Sequence, residues 1–433
     1  MIITPDVRAH AQALLDFIDA SPSPWHAVAV MARALEAAGF RELDEAQTWS
    51  LAPGARHYVI RGGSSLVAFI AGLQPVEEAG FRIVGAHTDS PGLRVKPRPA
   101  DTAGRLIRVG VEVYGGPILA TFADRDLGLA GRVSLRSAQG VETRLVLLDR
   151  PLLRLPNLAI HMNRKVNEDG LKFNRQTELP LLLTSVGDAP ADDVFLRLLG
   201  AAAGCSAGDI LGVELNAFDT QRGAFWGANE EFIANSQLDN LASCHAGFVA
   251  LMGAAPSPVT CVGAFFDHEE IGSESAKGAA GSLLSDVLER IVQAGGGSRE
   301  GLRRGLARSL MISADMAHAF QPNFPGAYEP GHLVAVNAGP VIKSNVNQRY
   351  ATDGVGAARF AHLCERAGVP YQMYCHRSDL ACGSTIGPMT AARLGLDVID
   401  VGNPMWAMHS IRESAGVLDH AYLLRVLHEF FAG

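Results

Sequence analysis

Residues 261–274, CVGAFFDHEEIGSE, decide how this chain is read. An apolar run over 262–266 stops abruptly at Asp267-His268-Glu269-Glu270, and Gly272 follows. The run has the length and uniform hydrophobicity of a strand buried on both faces of a parallel sheet. Ligands of open α/β sheets bind off the carboxyl ends of strands. Two neighbouring glutamates there suit two tasks: one can bind a metal and the other can move a proton. Taken alone, the same residues also fit a charged turn after a core strand. The stretch is not HExxH, because no histidine follows at the helical spacing of that zinc motif. Other metal ligands have to come from elsewhere in the chain.

The bulk composition sets limits. A chain of 433 residues is too long for one ordinary core, so two domains are expected. Its 48% apolar and 19% charged residues describe a well-packed globular protein. A net charge of −8 speaks against nucleic acid as partner, and an acidic substrate would need a local basic pocket. No window approaches ~20 consecutive apolar residues, so no membrane span is expected. Val7, Ala11, Leu14, Leu15 and Ile18 mark an amphipathic helix rather than a signal peptide. Six cysteines without CxxC spacing suit reduced thiols in a cytoplasmic protein.

Outward from the central stretch, residues 64–71 and 81–86 read as strands, and the second runs into His87-Thr88-Asp89. A carboxylate two residues beyond an imidazole can hold the ring nitrogen that faces away from a metal, although a satisfied surface histidine fits as well. From 93 to about 232 the texture becomes short apolar pieces between glycine turns, an all-β pattern. The chain therefore divides into a catalytic domain, first part (1–92), an inserted β-rich domain (93–232) and a catalytic domain, second part (233–433). His161 lies in an apolar run inside the insert, where composition favours a core histidine. Asp239 falls where strand turns to helix, a position that also suits a helix N-cap. Residues 310–315 form another apolar strand ending in a carboxylate, Asp315, with His318 close behind. Residues 340–350 read as a polar segment with Lys343 embedded, and His409 sits among apolar neighbours.

His87, Asp239, Glu270, Asp315 and His409 together offer two imidazoles and three carboxylates, a set that suits two divalent cations with one carboxylate bridging. Such a pair activates a water and clamps the attacking and carbonyl oxygens. Glu269, left over beside Glu270, can act as general base.

The motifs HTDSP, LPNLAIHMNR, SQLDNL, DHEEIGS, ISADMAHA, NQRYATD and MHSIRE, in this order along nearly the whole chain, resemble the M18 metallo-aminopeptidases, the aspartyl aminopeptidase family. The resemblance implies an α/β fold with a zinc-peptidase-like mixed sheet flanked by helices, interrupted by an inserted β-rich oligomerisation domain. It implies one metal on His87, Asp239 and Asp315 and a second on Asp239, Glu270 and His409, with Glu269 as base and Asp89 orienting His87. The ions would be Zn²⁺, with Mn²⁺ or Co²⁺ also suited to these ligands. It implies a cis peptide bond between Asp239 and Asn240. It moves His161 from a core to the active site of a neighbouring subunit, in a dimer-based dodecamer whose chamber admits short peptides. Lys343, His318 and Tyr350 match the family's pocket for an acidic N-terminal side chain. A broad-specificity aminopeptidase or another two-metal amidohydrolase on the same scaffold stays open. A nicotinamide enzyme does not fit, because no GxGxxG follows a strand.

Overall fold

The computed structural model describes residues 3–433. Its centre is a nine-stranded mixed sheet. From one edge to the other the strands are Arg41–Glu42, Arg56–Arg61, Ser65–Ile70, Thr260–Phe266, Phe81–His87, Leu310–Ala314, Asp397–Gly402, Val341–Ser344 and Gln372–Cys375. The middle four run parallel, so their carboxyl ends share one side of the sheet.

Thr260–Phe266 is buried at every residue, as its apolar run predicts. Side chains alternate between faces along a strand. Here Cys261 and Phe265 enter the core on one face, while Val262, Ala264 and Phe266 enter the other. The first core is closed by helices Pro5–Asp19, Pro24–Ala37, Leu238–Gly253, Gly354–Arg366 and Val417–Ala432. The second is closed by Leu283–Ala294, Arg299–Leu306 and Ile386–Leu394. Two apolar faces explain why the central strands read as unbroken hydrophobic runs.

Between the strands Phe81–His87 and Thr260–Phe266 the chain builds a six-stranded antiparallel sheet from Gly92–Ala103, Leu106–Tyr114, Leu127–Ser137, Gly140–Leu153, Leu181–Ser185 and Ile210–Asp219. The all-β reading of this stretch overlooked a helix, Ala191–Ala203, which packs Phe195, Leu199 and Ala203 into that sheet's core. Gly204 ends it in the left-handed conformation (φ 65°), a helix stop that was present in the sequence. A third sheet joins Ala224–Trp226 and Phe232–Asn235 to Glu413–Gly416, Pro404–Trp406 and Ala317–His318. The segment read as polar around Lys343 contains a strand, Val341–Ser344, inside the main sheet, with Lys343 2% exposed. Among the described residues no helix is long and apolar enough to cross a membrane.

Candidate metal centre

His87 ends the strand Phe81–His87, paired with Phe266 of the neighbouring strand. Its Nδ1 meets the Asp89 carbonyl at 3.0 Å and lies 3.4 Å from Asp89 Oδ1. Only acceptors face Nδ1, so that nitrogen carries a proton and Nε2 is the one free to turn a lone pair toward a cation. Nε2 points into the carboxylate cluster, 3.4 Å from Asp239 Oδ1, 3.8 Å from Asp315 Oδ1 and 4.0 Å from Glu269 Oε2. His409 repeats this arrangement from the opposite side. Its Nδ1 faces the Gly116 carbonyl at 3.1 Å, and its Nε2 lies 3.5 Å from both Asp239 Oδ2 and Glu270 Oε2. The peptide bond between Asp239 and Asn240 is cis.

Asp89 is fully buried and heavily used. Its Oδ1 accepts the Glu269 N–H at 3.1 Å, and its Oδ2 accepts the Glu270 N–H at 3.1 Å and the Tyr114 hydroxyl at 2.7 Å. Asp89 thus fixes both the imidazole before it and the turn that presents the two glutamates.

The electrostatics follow from this crowding. Burial pushes Glu269 up to about 8, with His87 pulling the other way. Burial and the Asp239 charge push Glu270 well above the usual carboxylate range. Burial alone would lower His409, but Asp239 lifts it to about 9. Burial alone would raise Asp239, but hydrogen bonding to His409 and His87 holds it low.

These residues fit a divalent cation. The groups His87–Asp239–Glu270 and His87–Glu269–Asp315 each bring ligand atoms within 4.8 Å of one another. Asp239 Oδ1 and Glu270 Oε1 are buried without a hydrogen-bond partner, a costly state for carboxylate oxygens unless a cation is their counterpart. The second group would draw Glu269 in as a ligand. Glu269 Oε2 lies 4.0 Å from His87 Nε2, against 3.4 Å for Asp239 Oδ1 and 3.8 Å for Asp315 Oδ1.

The residues expected to shape a substrate pocket lie next to this cluster. Lys343 Nζ donates to the Met316 carbonyl at 3.1 Å, lies 3.9 Å from Asp315 Oδ2 and sits 5.1 Å above the Tyr350 ring. The Tyr374 ring bridges them, 6.4 Å from Tyr350 and 5.9 Å from His318. Burial, then the Lys343 charge, lowers His318 to about 4, so it is neutral near pH 7. His161 is not a core residue, contrary to its composition. It is exposed, next to Leu158, Ile160 and Met162, which are 67%, 48% and 76% exposed. Sequence reasoning missed Glu413 and Tyr114. Glu413 is the last residue of the MHSIRE motif, which was its one available signal; Tyr114 carried none.

A parallel sheet that gathers imidazoles and bare carboxylate oxygens at its strand ends is the layout of a metal-dependent hydrolase. The chain belongs to the M18 family and is a metallo-aminopeptidase: the family of aminopeptidase I zinc metalloproteases (M18) matches residues 17–431. A probable M18 family aminopeptidase 2 of Pseudomonas paraeruginosa is 48% identical over 424 residues, covering 97% of either chain. Among solved structures, a chain of the Ape4 and Nbr1 complex is 38% identical with a TM-score of 0.94, over 98% of this chain and 86% of that one. A chain of the Saccharomyces cerevisiae mApe1 dodecamer is 29% identical with a TM-score of 0.86, over 98% and 97%.

Proposed function

We propose that the enzyme uses two metal ions to remove N-terminal residues from short peptides, with acidic first residues preferred. Zn²⁺ is the metal this donor set suits best. His87, Asp239 and Asp315 would hold one ion, and Asp239, Glu270 and His409 the other. One observation carries this reading: Asp239 turns Oδ1 toward His87 Nε2 at 3.4 Å and Oδ2 toward His409 Nε2 at 3.5 Å. A carboxylate between two imidazoles is placed to bridge. The ions, when bound, supply Lewis acidity toward the scissile carbonyl and lower the pKa of water.

Glu269 does the proton work. Its carboxylate takes a proton from the attacking water as the water oxygen bonds to the carbonyl carbon, and returns that proton to the amine nitrogen as the C–N bond breaks. Asp89 keeps Glu269 in place through the backbone N–H, so the base is aimed by its main chain.

Lys343 supports an acidic preference. Of its three N–H donors one is taken by Met316 and one faces Asp315, which leaves a third for a substrate carboxylate. His318 and Tyr350 would line the same pocket. The exposed His161 and its apolar neighbours support a second reading, in which the chain assembles into a homo-oligomer as the related yeast protein forms a dodecamer. This loop would pack on another subunit, and His161 would complete that subunit's site. Six unpaired cysteines support a reducing compartment.

The test is hydrolysis of aminoacyl p-nitroanilides of Asp, Glu, Leu, Ala and Lys by the zinc-loaded enzyme, repeated with Lys343→Ala. Loss of a charged hydrogen bond should cut kcat/KM on Asp and Glu by roughly 10–100-fold and leave Leu within a few-fold. Equal losses on all substrates would make Lys343 a structural residue and discard the acidic pocket.

A further inference from the structure

The structure carries one more assignment, which rests on the two-ion reading above. We propose that Glu413 is a positioning residue that sets occupancy of the metal position shared by Asp239, Glu270 and His409. Glu413 is 1% exposed and starts the strand Glu413–Gly416, opposite Asn235. Its Oε2 accepts the Asp239 N–H at 3.0 Å, and its Oε1 accepts the His409 N–H at 2.7 Å. One carboxylate therefore ties together two residues far apart in sequence, and the span between its oxygens fixes how closely their side chains approach.

Neither residue is held by regular structure. Asp239 has non-helical angles (φ −84°, ψ 104°) at the start of its helix, and His409 has φ +68°, a region that disfavours residues with a side chain. The Ser90 hydroxyl donates to the Asp239 carbonyl at 2.6 Å, so both backbone polar groups of this residue are clamped. The other metal position is built differently. His87 is fixed by sheet register, and the Asp315 N–H donates to the Val401 carbonyl at 2.9 Å in the main sheet. Glu413 turns both oxygens onto backbone N–H groups and is in neither cluster of ligand atoms. Its effect on metal binding has to run through Asp239 and His409, and Asp239 is the weaker half of that link because it is also fastened by Ser90. The predicted effect is thus selective for the position that contains His409.

The experiment is Zn²⁺ titration of stripped wild-type protein, Glu413→Gln and Glu413→Asp, read by chelator competition, with circular dichroism and sedimentation on the same samples. Removing a partner that orients a ligand costs 10–100-fold in metal affinity as an order of magnitude. Both variants should weaken one ion by about that factor and leave the other within about threefold, at unchanged fold and size. Two ions weakened alike, no change in either, or lost ellipticity or assembly in both variants would overturn the assignment. If wild type binds a single ion, the two-ion reading itself fails, whatever the variants do.

Discussion

Two pairs of histidines, one pair facing carboxylates and the other packed among rings, separate what burial does from what partners do. In the carboxylate cluster, His87 and His409 face acidic side chains, and both imidazoles are driven toward the charged form, His409 to about 9. Among the helices behind the sheet, His245 Nδ1 meets His420 Nε2 at 2.8 Å, with Phe17 and Phe248 packed on the His245 ring. Burial pushes His245 down to about 3 and His420 well below its usual value, and each also feels a neighbouring histidine. Residue type is the same in both regions, and His87 and His420 are each 1% exposed. The difference is that the first pair looks onto carboxylates, of which Asp239 Oδ1 and Glu270 Oε1 have no hydrogen-bond partner, and the second onto rings. Carboxylates gathered around imidazoles, not histidines as such, mark the site.

The sharpest way to break this contrast is at the base. Glu269→Gln keeps the side chain's shape and its N–H bond to Asp89 but removes proton transfer. A general base is worth typically 10²–10⁴-fold, so kcat should fall by about that factor while metal content, measured by atomic emission, is unchanged. Near-normal turnover would remove Glu269 from the chemistry. Loss of metal together with activity would make it a ligand, in line with its approach to His87.

The helix pair offers a smaller effect of opposite character. Both histidines have folded pKa values depressed below the unfolded value near 6.5, so the stability they contribute is present above that pH and is lost as pH falls, for His245 down to about 3. By pH 5 the unfolded chain's preference for protons costs about 2 kcal/mol at His245, and His420 acts in the same direction. Urea unfolding of metal-free protein between pH 7 and 5 should therefore show a shallower loss in His245→Gln than in wild type. Identical slopes would mean that the pair takes up protons in the folded state, and the contrast with His87 and His409 would collapse.

The sequence displayed one of these regions much better than the other. The apolar run ending in Asp267-His268-Glu269-Glu270 announced a central strand and its site, because burial on both faces leaves only hydrophobic residues before the end. His87 and Asp315 were visible for the same reason. Asp239 and His409 were less plain, since one also suits a helix N-cap and the other sits among apolar neighbours; they gained a metal role only as members of the five-residue set, which the motif resemblance then divided between two ions. Lys343 hid a strand, because the apolar residues of Val341–Ser344 are too few to outweigh the polar chain around them. The loop at His161 misled composition: an apolar run was taken for core, yet Leu158, Ile160 and Met162 are exposed in the single chain. Hydrophobicity reports that a surface should be covered, not whether the cover comes from the same chain. Glu413 accepts backbone N–H groups, one of them from Asp239 far away in sequence, and no pattern of side chains encodes such a contact.

Tyr114 tests how far the strand-end region extends. It ends the strand Leu106–Tyr114 of the six-stranded sheet, yet its hydroxyl donates to Asp89 Oδ2 at 2.7 Å, in the main sheet's site. Arg94 lies 3.6 Å over the Tyr114 ring and holds it in that direction. Tyr114→Phe removes one donor from a buried carboxylate that keeps the N–H groups of Glu269 and Glu270. A hydrogen bond to a charged group contributes about 1.5–3 kcal/mol, and only part of that reaches the metal, since Asp89 acts through His87. Zinc affinity should fall by about tenfold or less, with kcat on the fully loaded enzyme within a few-fold of wild type. Because the hydroxyl bears on Asp89 and not on His409, the weakened ion should be the one held by His87, the opposite of the loss expected at Glu413. Chelator competition on the two variants side by side reads this directly. The same ion weakened in both would mean that the cluster responds as a single unit, and that the two imidazoles cannot be treated as separate anchors.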